Sequence, residues 1–301
     1  MRILIAGCNG QVGFELQRSL AVLGEVVPMD RHRCDLANPE SIRAALRANR
    51  PDVVVNAAAY TAVDKAEQER ELALRINGEG PGVLAEEADA LGALLVHYSS
   101  DYVFDGLQRT PYSERDRTNP ISVYGESKLE GERAVREATG GRKLILRTSW
   151  VYGVHGNNFL KTMLRLMRER DTLRVVGDQV GAPTGAALIA DVTAHVLSRY
   201  AAVHGTERAK HFPYGTYHLA ARGETTWYDY AGLIGRLARD AGVRLAVQPE
   251  RIQRITTEDY PLPARRPVFS RLDTSKLRDT FGLALPPWED GVRHAVQVLL
   301  T

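Results

Sequence analysis

The segment ILIAGCNGQVGFEL, residues 3–16, limits the fold more than any other part of the chain. Its first residues are an apolar, β-branched-rich run that reads as a strand, and the residues after Gly10 follow helical spacing. Gly7, Gly10 and Gly13 fall where the strand turns into the helix. Small residues there let the backbone approach a pyrophosphate, and the helix N-terminus offers free N–H groups and a favourable dipole. Such a loop has meaning only as the first unit of a parallel sheet. The rest of the chain supplies that context. Apolar runs recur in GEVVPMD, DVVVNAAA, ALLVHYSS and KLILRTSW, separated by the helical patterns QVGFELQRSLAVLG, PESIRAALRANR and GPGVLAEEADALG. Strands alternating with helices imply a sheet covered on both faces. The expected class is therefore α/β, with a doubly wound parallel sheet of the Rossmann type. Asn38-Pro39 suits a helix cap and first helical residue, and Asn119-Pro120 suits the start of the helix carrying Tyr124.

Beyond about Trp150 the alternation weakens and Gly/Pro-containing connections lengthen, as in VGDQVGAPTG and EDYPLPARRPVFSRL. Residues 1–150 are read as a dinucleotide-binding domain. Residues 151–301 are read as mainly a smaller C-terminal substrate-binding domain, interleaved with segments such as TLRVVG and the helix after Pro183 that return to the sheet. A chain of 301 residues with 44% apolar composition can bury the core this requires. Its 39 basic and 37 acidic residues leave a formal charge of +2, so no overall field recruits nucleic acid or an acidic membrane. Any anion must meet a local site. Cys8 and Cys34, the two cysteines, make no disulfide framework and belong to no metal-ligand cluster. The opening MRILIAG is too short for a signal peptide, and no apolar stretch approaches the ~20 residues of a spanning helix. The expected location is the cytoplasm.

The second apolar run ends at Met29-Asp30-Arg31, where the adenosine ribose of a dinucleotide would sit. An acid there accepts hydrogen bonds from the 2′-hydroxyl of NAD, whereas an arginine pairs with the 2′-phosphate of NADP. Asp30 stands beside Arg31 and Arg33, so this motif leaves the choice open. Asp35 and Leu36 are candidates for the adenine end, and Ala57, Ala58 and Ala59 close the next strand with side chains small enough for a flat ligand to pass. Ser99 and Ser100 end another strand, where sites of open parallel sheets collect. Tyr124 and Lys128 share one helix face at i and i+4. A tyrosine with a pKa near ~10 needs such a neighbouring cation before its phenolate is favoured.

In order along the chain, GCNGQVG, NAAAYTAVDKAE, YSSDYVFDG, VYGESKLEGE, RTSWVYG, QVGAPTG and RRPVFSRLD resemble the extended short-chain dehydrogenase/reductases, specifically the dTDP-4-dehydrorhamnose reductase family. The resemblance covers the chain from its first residue to about residue 300. It implies reduction of dTDP-4-dehydro-L-rhamnose to dTDP-L-rhamnose with NADPH or NADH, the last step in making that activated sugar, for use in a bacterial surface polysaccharide. It further implies Tyr124 as proton donor to the substrate carbonyl oxygen. Lys128 would lower the pKa of Tyr124 and hold the nicotinamide ribose, and Ser100 would hydrogen-bond the carbonyl. Gly7, Gly10, Gln11 and Val12 match the family's pyrophosphate loop, and Asn77 matches a position near the cofactor. Tyr102, Trp150 and the segment Ala182, Pro183 and Thr184 match its substrate side, with Arg266 a partner for the sugar-nucleotide diphosphate.

Two departures stand out. Many relatives have threonine at the position of Ser100; serine keeps the hydroxyl but loses the stiff β-branched rotamer. Some bacterial relatives form a homodimer around magnesium through glutamates. This chain offers Glu15 and Glu289 at the matching positions but Ala187 at a third, which provides no ligand oxygen, so a magnesium site is not expected. Two other readings share the fold. A sugar-nucleotide epimerase has the same loop and Tyr/Lys pair, and a non-catalytic regulatory subunit, as in eukaryotic methionine adenosyltransferase, has the same architecture. A 4,6-dehydratase is disfavoured because Ser100 is followed by Asp101 and Tyr102, not by the Asp-Glu pair that eliminates water.

Overall fold

Six strands form one parallel sheet: β1 (Arg2–Ala6), β2 (Glu25–Met29), β3 (Val53–Asn56), β4 (Leu94–Ser100), β5 (Lys143–Thr148) and β6 (Gly215–His218). The computed structural model describes all residues, Met1 to Thr301. Across the sheet the order is β2-β1-β3-β4-β5-β6. Sequence order reverses between β1 and β3, and the carboxyl ends of those two strands form the crevice where ligands of open α/β sheets bind.

The central strands read as continuous apolar runs because both faces are covered. Ile3 and Ile5 of β1, with Val53 and Val55 of β3, face a core closed by Leu16 and Leu20 of α1 (Gln11–Leu20). The alternate residues Leu4, Ala6 and Val54 face the other side, against Ile42 and Leu46 of α2 (Pro39–Asn49) and Leu84 and Ala88 of α3 (Gly80–Leu91). Asn38 caps α2, its side chain accepting from the Glu40 and Ser41 amides at 3.1 and 3.3 Å, with Pro39 opening the helix.

Helix α4 (Val123–Glu137) carries Tyr124 and Lys128. Its cap is Ser122, whose hydroxyl accepts from the Gly125 amide at 3.2 Å, and not Asn119, whose amide donates to Asp105 at 3.1 Å. The helix is tied to β5 by a buried ion pair: Arg147 Nε and Nη2 each donate to Glu132 at 2.7 Å, and Ser99 Oγ donates to the same carboxylate at 2.6 Å. Burial opposes ionisation of Glu132, but the Arg147 hydrogen bonds and charge outweigh it and hold the carboxyl at about 2. Removing one partner of such a pair costs roughly 3–5 kcal/mol, so this contact fixes how α4 sits on the sheet.

The second half of the chain divides between two cores. Helix α6 (Ala186–Ala201) packs Ile189, Val196 and Tyr200 onto the α1 side of the sheet, and β6 extends the sheet beside β5. Helices α5 (Phe159–Glu169), α7 (Trp227–Asp240) and α8 (Trp288–Leu300) instead enclose a separate core with Met163, Met167, Tyr230, Ile234 and Trp288. Arg174–Val176, within the TLRVVG segment expected to rejoin the sheet, pairs with Gln253–Ile255. The reason is burial: Val175 and its neighbour Ile252 belong to this second core.

Candidate active site

A cleft of about 660 Å³ opens along the carboxyl ends of the strands, bordered by the glycine loop, the alanines after β3 and the face of α4 that bears Tyr124 and Lys128. Gly7 has φ +80, and a Cβ there would lie 2.6 Å from the Ala58 backbone. At Gly13 a Cβ would lie 2.1 Å from the Gly7 carbonyl oxygen. Both glycines are required by close backbone approach, and the result brings the start of α1 to the cleft. The first intrahelical bond runs from Phe14 N to Gly10 O at 2.8 Å, which leaves the Gln11, Val12 and Gly13 amides without intrahelical partners. Such an end suits a pyrophosphate. Thr148 Oγ1, at the end of β5 on the cleft wall, is buried without a hydrogen-bond partner, so the cleft holds an unmet polar group as well. These features fit a dinucleotide.

The cleft gathers Gly7, Gly10, Gln11, Val12, Asp30, Arg31, Asp35, Leu36, the three alanines Ala57 to Ala59, Tyr124 and Lys128. Around the ribose position, Asp30 Oδ1 accepts from the His32 and Arg33 amides at 3.0 and 3.1 Å. Arg33 turns away and donates to Pro28 O at 3.0 Å, while Arg31 stays on the cleft with Nε 3.7 Å from Asp35. Gly13 lies behind the loop. Asn77 is also behind the wall, donating to Tyr60 O at 2.9 Å and Ser127 Oγ at 3.0 Å and accepting from Tyr60 N at 2.8 Å. It holds the turn after the alanines against α4.

Lys128 is buried and donates from Nζ to Tyr98 O at 2.7 Å. Burial lowers its pKa to about 8, against the opposing charge of Glu132. Tyr124 is raised to about 12 by burial, with the nearby Ser100 hydroxyl acting in the other direction and the Asp101 charge adding to the rise. The net shift of Tyr124 is upward because desolvation is its largest cause, where the resemblance implies lowering by Lys128. Ser100 ends β4; its hydroxyl donates to Asp101 Oδ1 at 3.0 Å and accepts from Tyr102 N at 3.2 Å. Asp101 is buried, and desolvation raises its carboxyl to about 6.

Away from the glycine loop, the Tyr102 ring meets the Tyr124 ring edge-on at 5.3 Å. Arg266 is paired with Asp64 at 2.8 Å. Trp150, with φ +45, stacks on Trp227 at 3.6 Å, and Gly181 leaves room for its indole. Ala182, Pro183 and Thr184 are buried, and Thr184 Oγ1 donates to Ala182 O at 3.1 Å, so these side chains are engaged inside the protein and not presented to the cleft. Glu15 and Ala187 border one hollow at α1 and α6, where Glu15 lies 3.7 Å from Arg18. No group of three or more His, Cys, Asp or Glu side chains is arranged to hold a metal ion.

Several cleft residues escaped the sequence reading. Tyr98 and Thr148 border it from strand ends, where the strand-end rule alone pointed. Gly156 and Asn157 reach it from the loop before α5, which is latched to the glycine loop: Asn158 Nδ2 donates to Gln11 Oε1 at 2.8 Å, and His155 Nε2 contacts Asn9 O at 3.0 Å. Those partners are remote in sequence, and nothing local signals them.

The whole chain, residues 1–301, matches the family model described as RmlD substrate binding domain. The chain belongs to this family. The family resemblance extends to a dTDP-4-dehydrorhamnose reductase of Escherichia coli K12, 49% identical over 305 residues, covering 100% of this chain and 99% of that protein. Among solved structures, a dTDP-4-dehydrorhamnose reductase from Clostridium acetobutylicum is similar with a TM-score of 0.89 and 39% identity over 100% of both chains. A Bacillus anthracis reductase of the same name, solved in complex with NADP, has a TM-score of 0.86 and 34% identity over 99% of both chains. The RmlD family assignment thus joins the fold and the sequence motifs over their full length.

Proposed function

We propose that the chain reduces the 4-keto group of dTDP-4-dehydro-L-rhamnose to give dTDP-L-rhamnose, with NADPH or NADH as reductant. The observation that carries this reading is the convergence of the glycine loop, the Ala57–Ala59 wall, Tyr124 and Lys128 on one cleft. The similarity to reductases of that name over the whole chain supports the choice of substrate. Residues 1–150 would hold the dinucleotide, and much of 151–301 the sugar nucleotide. The nicotinamide, when bound, supplies hydride. The chain's own part is acid catalysis and positioning. Tyr124, raised to about 12, is protonated at neutral pH and is the proton donor to the carbonyl oxygen. Ser100, at the end of β4 beside it, orients that oxygen. Lys128, held by Tyr98 O, supplies positive charge next to the developing alkoxide and a donor to the ribose. Gly7, Gly10 and the free amides of α1 hold the pyrophosphate, and Asp30 and Arg31 face the adenosine ribose.

The test is direct. Purified protein is mixed with NADPH or NADH and a panel of nucleotide-linked 4-keto sugars, loss of reduced cofactor is followed, and the product's stereochemistry is determined. Turnover of the dTDP-linked 4-keto sugar to the L-rhamno product is expected. An epimerase would interconvert sugars without net loss of reduced cofactor, and a regulatory subunit would turn over nothing.

A further inference from the structure

Arg266 does not stand free on the sugar-nucleotide side of the site. Its Nη1 and Nη2 donate to Asp64 Oδ1 and Oδ2 at 3.2 and 2.8 Å, and Nη1 also donates to Ala264 O at 3.1 Å. Asp64 follows the alanine run after β3, whereas Arg266 lies in the C-terminal RRPVFSRLD segment, so the pair bridges the two halves of the chain. Asp64 Oδ1 additionally accepts from Ala264 N at 3.2 Å, which fixes the backbone beside the arginine. Burial opposes ionisation of Asp64, yet the hydrogen bonds and charge of Arg266 keep its carboxyl below the ordinary range. Both partners are therefore charged at neutral pH.

A guanidinium has five N–H donors in fixed directions. Three are taken by Asp64 and Ala264. The two that remain, Nε–H and the second Nη2–H, lie along one edge and form a second fork, with the Tyr102 hydroxyl beside it. Tyr102 in turn touches the ring of Tyr124. The free edge is thus a ready-made pair of donors beside Tyr102, which itself packs on the proposed proton donor, on an arginine whose charge is already compensated.

We propose that Asp64 is a specificity-determining residue: it neutralises Arg266 and fixes its plane, so the free edge receives the sugar nucleotide's diphosphate as a directional hydrogen-bonding fork and not as a bare cation. This rests on the assignment of Arg266 to the diphosphate. A neutralised fork selects acceptors of the right shape and spacing, and it is weak for anions in general. Removing the carboxylate trades that selectivity for non-specific attraction. Asparagine at position 64 keeps the Oδ1 acceptor for Ala264 N and Arg266 Nη1 while deleting the charge.

The experiment measures binding of dTDP and of inorganic pyrophosphate to the full chain by calorimetry. At low salt, Asp64→Asn is expected to tighten dTDP about tenfold and pyrophosphate by at least as much, because an uncompensated charge now lies near the phosphates. The gain should shrink at about 500 mM salt, where the screening length falls to roughly 4 Å. Asp64→Glu, which restores the charge, should bind dTDP like the wild type. Unchanged or weaker dTDP binding in Asp64→Asn, or equal effects of Asn and Glu, overturns the role of Asp64. Arg266→Gln separates the two levels. If it weakens dTDP while Asp64→Asn does nothing, the diphosphate assignment stands and the role of Asp64 falls; if it leaves dTDP unchanged, Arg266 is not at the diphosphate and both fall.

Discussion

Along the floor of the cleft the binding surface is backbone: Gly7 presses on Ala58, Gly13 on Gly7, and the first amides of α1 are left without partners. On the side assigned to the sugar nucleotide the surface is long side chains, each held by a residue far away in the chain, Arg266 by Asp64 and Trp150 by Trp227. The first surface is rigid because a strand and a helix fix it. The second is set by pairs of side chains, which can be retuned one residue at a time without moving the sheet. A dinucleotide common to many reductases suits the first kind of surface, and a substrate that differs between them suits the second.

The junction of the two surfaces is Tyr124, and the largest expected effect is there. Tyr124→Phe should lower turnover roughly 10²- to 10⁴-fold, because it removes the general acid and keeps the ring. Cofactor affinity, read by fluorescence titration, should hardly change. Wild-type turnover in this variant would remove the tyrosine from the chemistry. Lys128→Met should instead weaken both turnover and cofactor binding; a loss confined to turnover would remove the ribose role of the lysine.

The next effect breaks the backbone surface alone. At Gly7 an alanine meets both a left-handed φ and the Ala58 backbone at 2.6 Å. The conformational cost alone is about 1–2 kcal/mol, and if the loop relieves it by leaving the binding geometry, restoring that geometry costs about tenfold in affinity. Gly7→Ala should therefore weaken cofactor binding about tenfold or more while leaving dTDP binding near that of the wild type. Equal losses of both ligands would show that the two surfaces are mechanically one.

A third prediction concerns pH. Lys128 is lowered to about 8, so its charge is present below that pH and lost above it. Tyr124 at about 12 stays protonated over the same range and adds no limb. The kcat/KM for reduced cofactor, which reports the free enzyme, should fall about tenfold per pH unit above pH ~8. In Lys128→Arg, where the cation does not titrate, that alkaline limb should disappear even if the plateau is lower. A limb that persists in the arginine variant belongs to another group.

The same contrast explains what could be read from the sequence. The glycine loop, the strand-helix alternation and the Tyr124/Lys128 spacing are local patterns, and each appears in the structure where the pattern placed it. The Asn38 cap was legible for the same reason, because its side chain bonds amides two and three residues away. Contacts such as Asp64 with Arg266, or Asn158 with Gln11, join residues that nothing local relates. Val175 illustrates the limit from the other side: its short apolar run has strand character, and only packing decides that its partner is Gln253–Ile255 and not the main sheet. The direction of the Tyr124 shift was equally hidden, since burial is a property of the folded site.

The smallest expected effect tests where the backbone surface ends and side chains take over, at the adenosine ribose. Of the two arginines flagged beside Asp30, Arg33 is committed to Pro28 O at 3.0 Å. Arg31 alone borders the cleft, held only by Asp35 at 3.7 Å and with 72% of its side chain exposed. It is free to meet a 2′-phosphate, but an exposed cation of this kind contributes at most about 1 kcal/mol, or roughly fivefold. NADPH should accordingly be used at least as well as NADH. Arg31→Ala should lower kcat/KM for NADPH a few-fold and leave NADH alone, while Arg33→Ala should alter neither. Asp30 pulls the other way, yet its Oδ1 is occupied by the His32 and Arg33 amides, which leaves one oxygen for a 2′-hydroxyl. A strong NADH preference that Arg31→Ala leaves intact would mean that this one oxygen decides the cofactor and that Arg31 is a solvated loop cation.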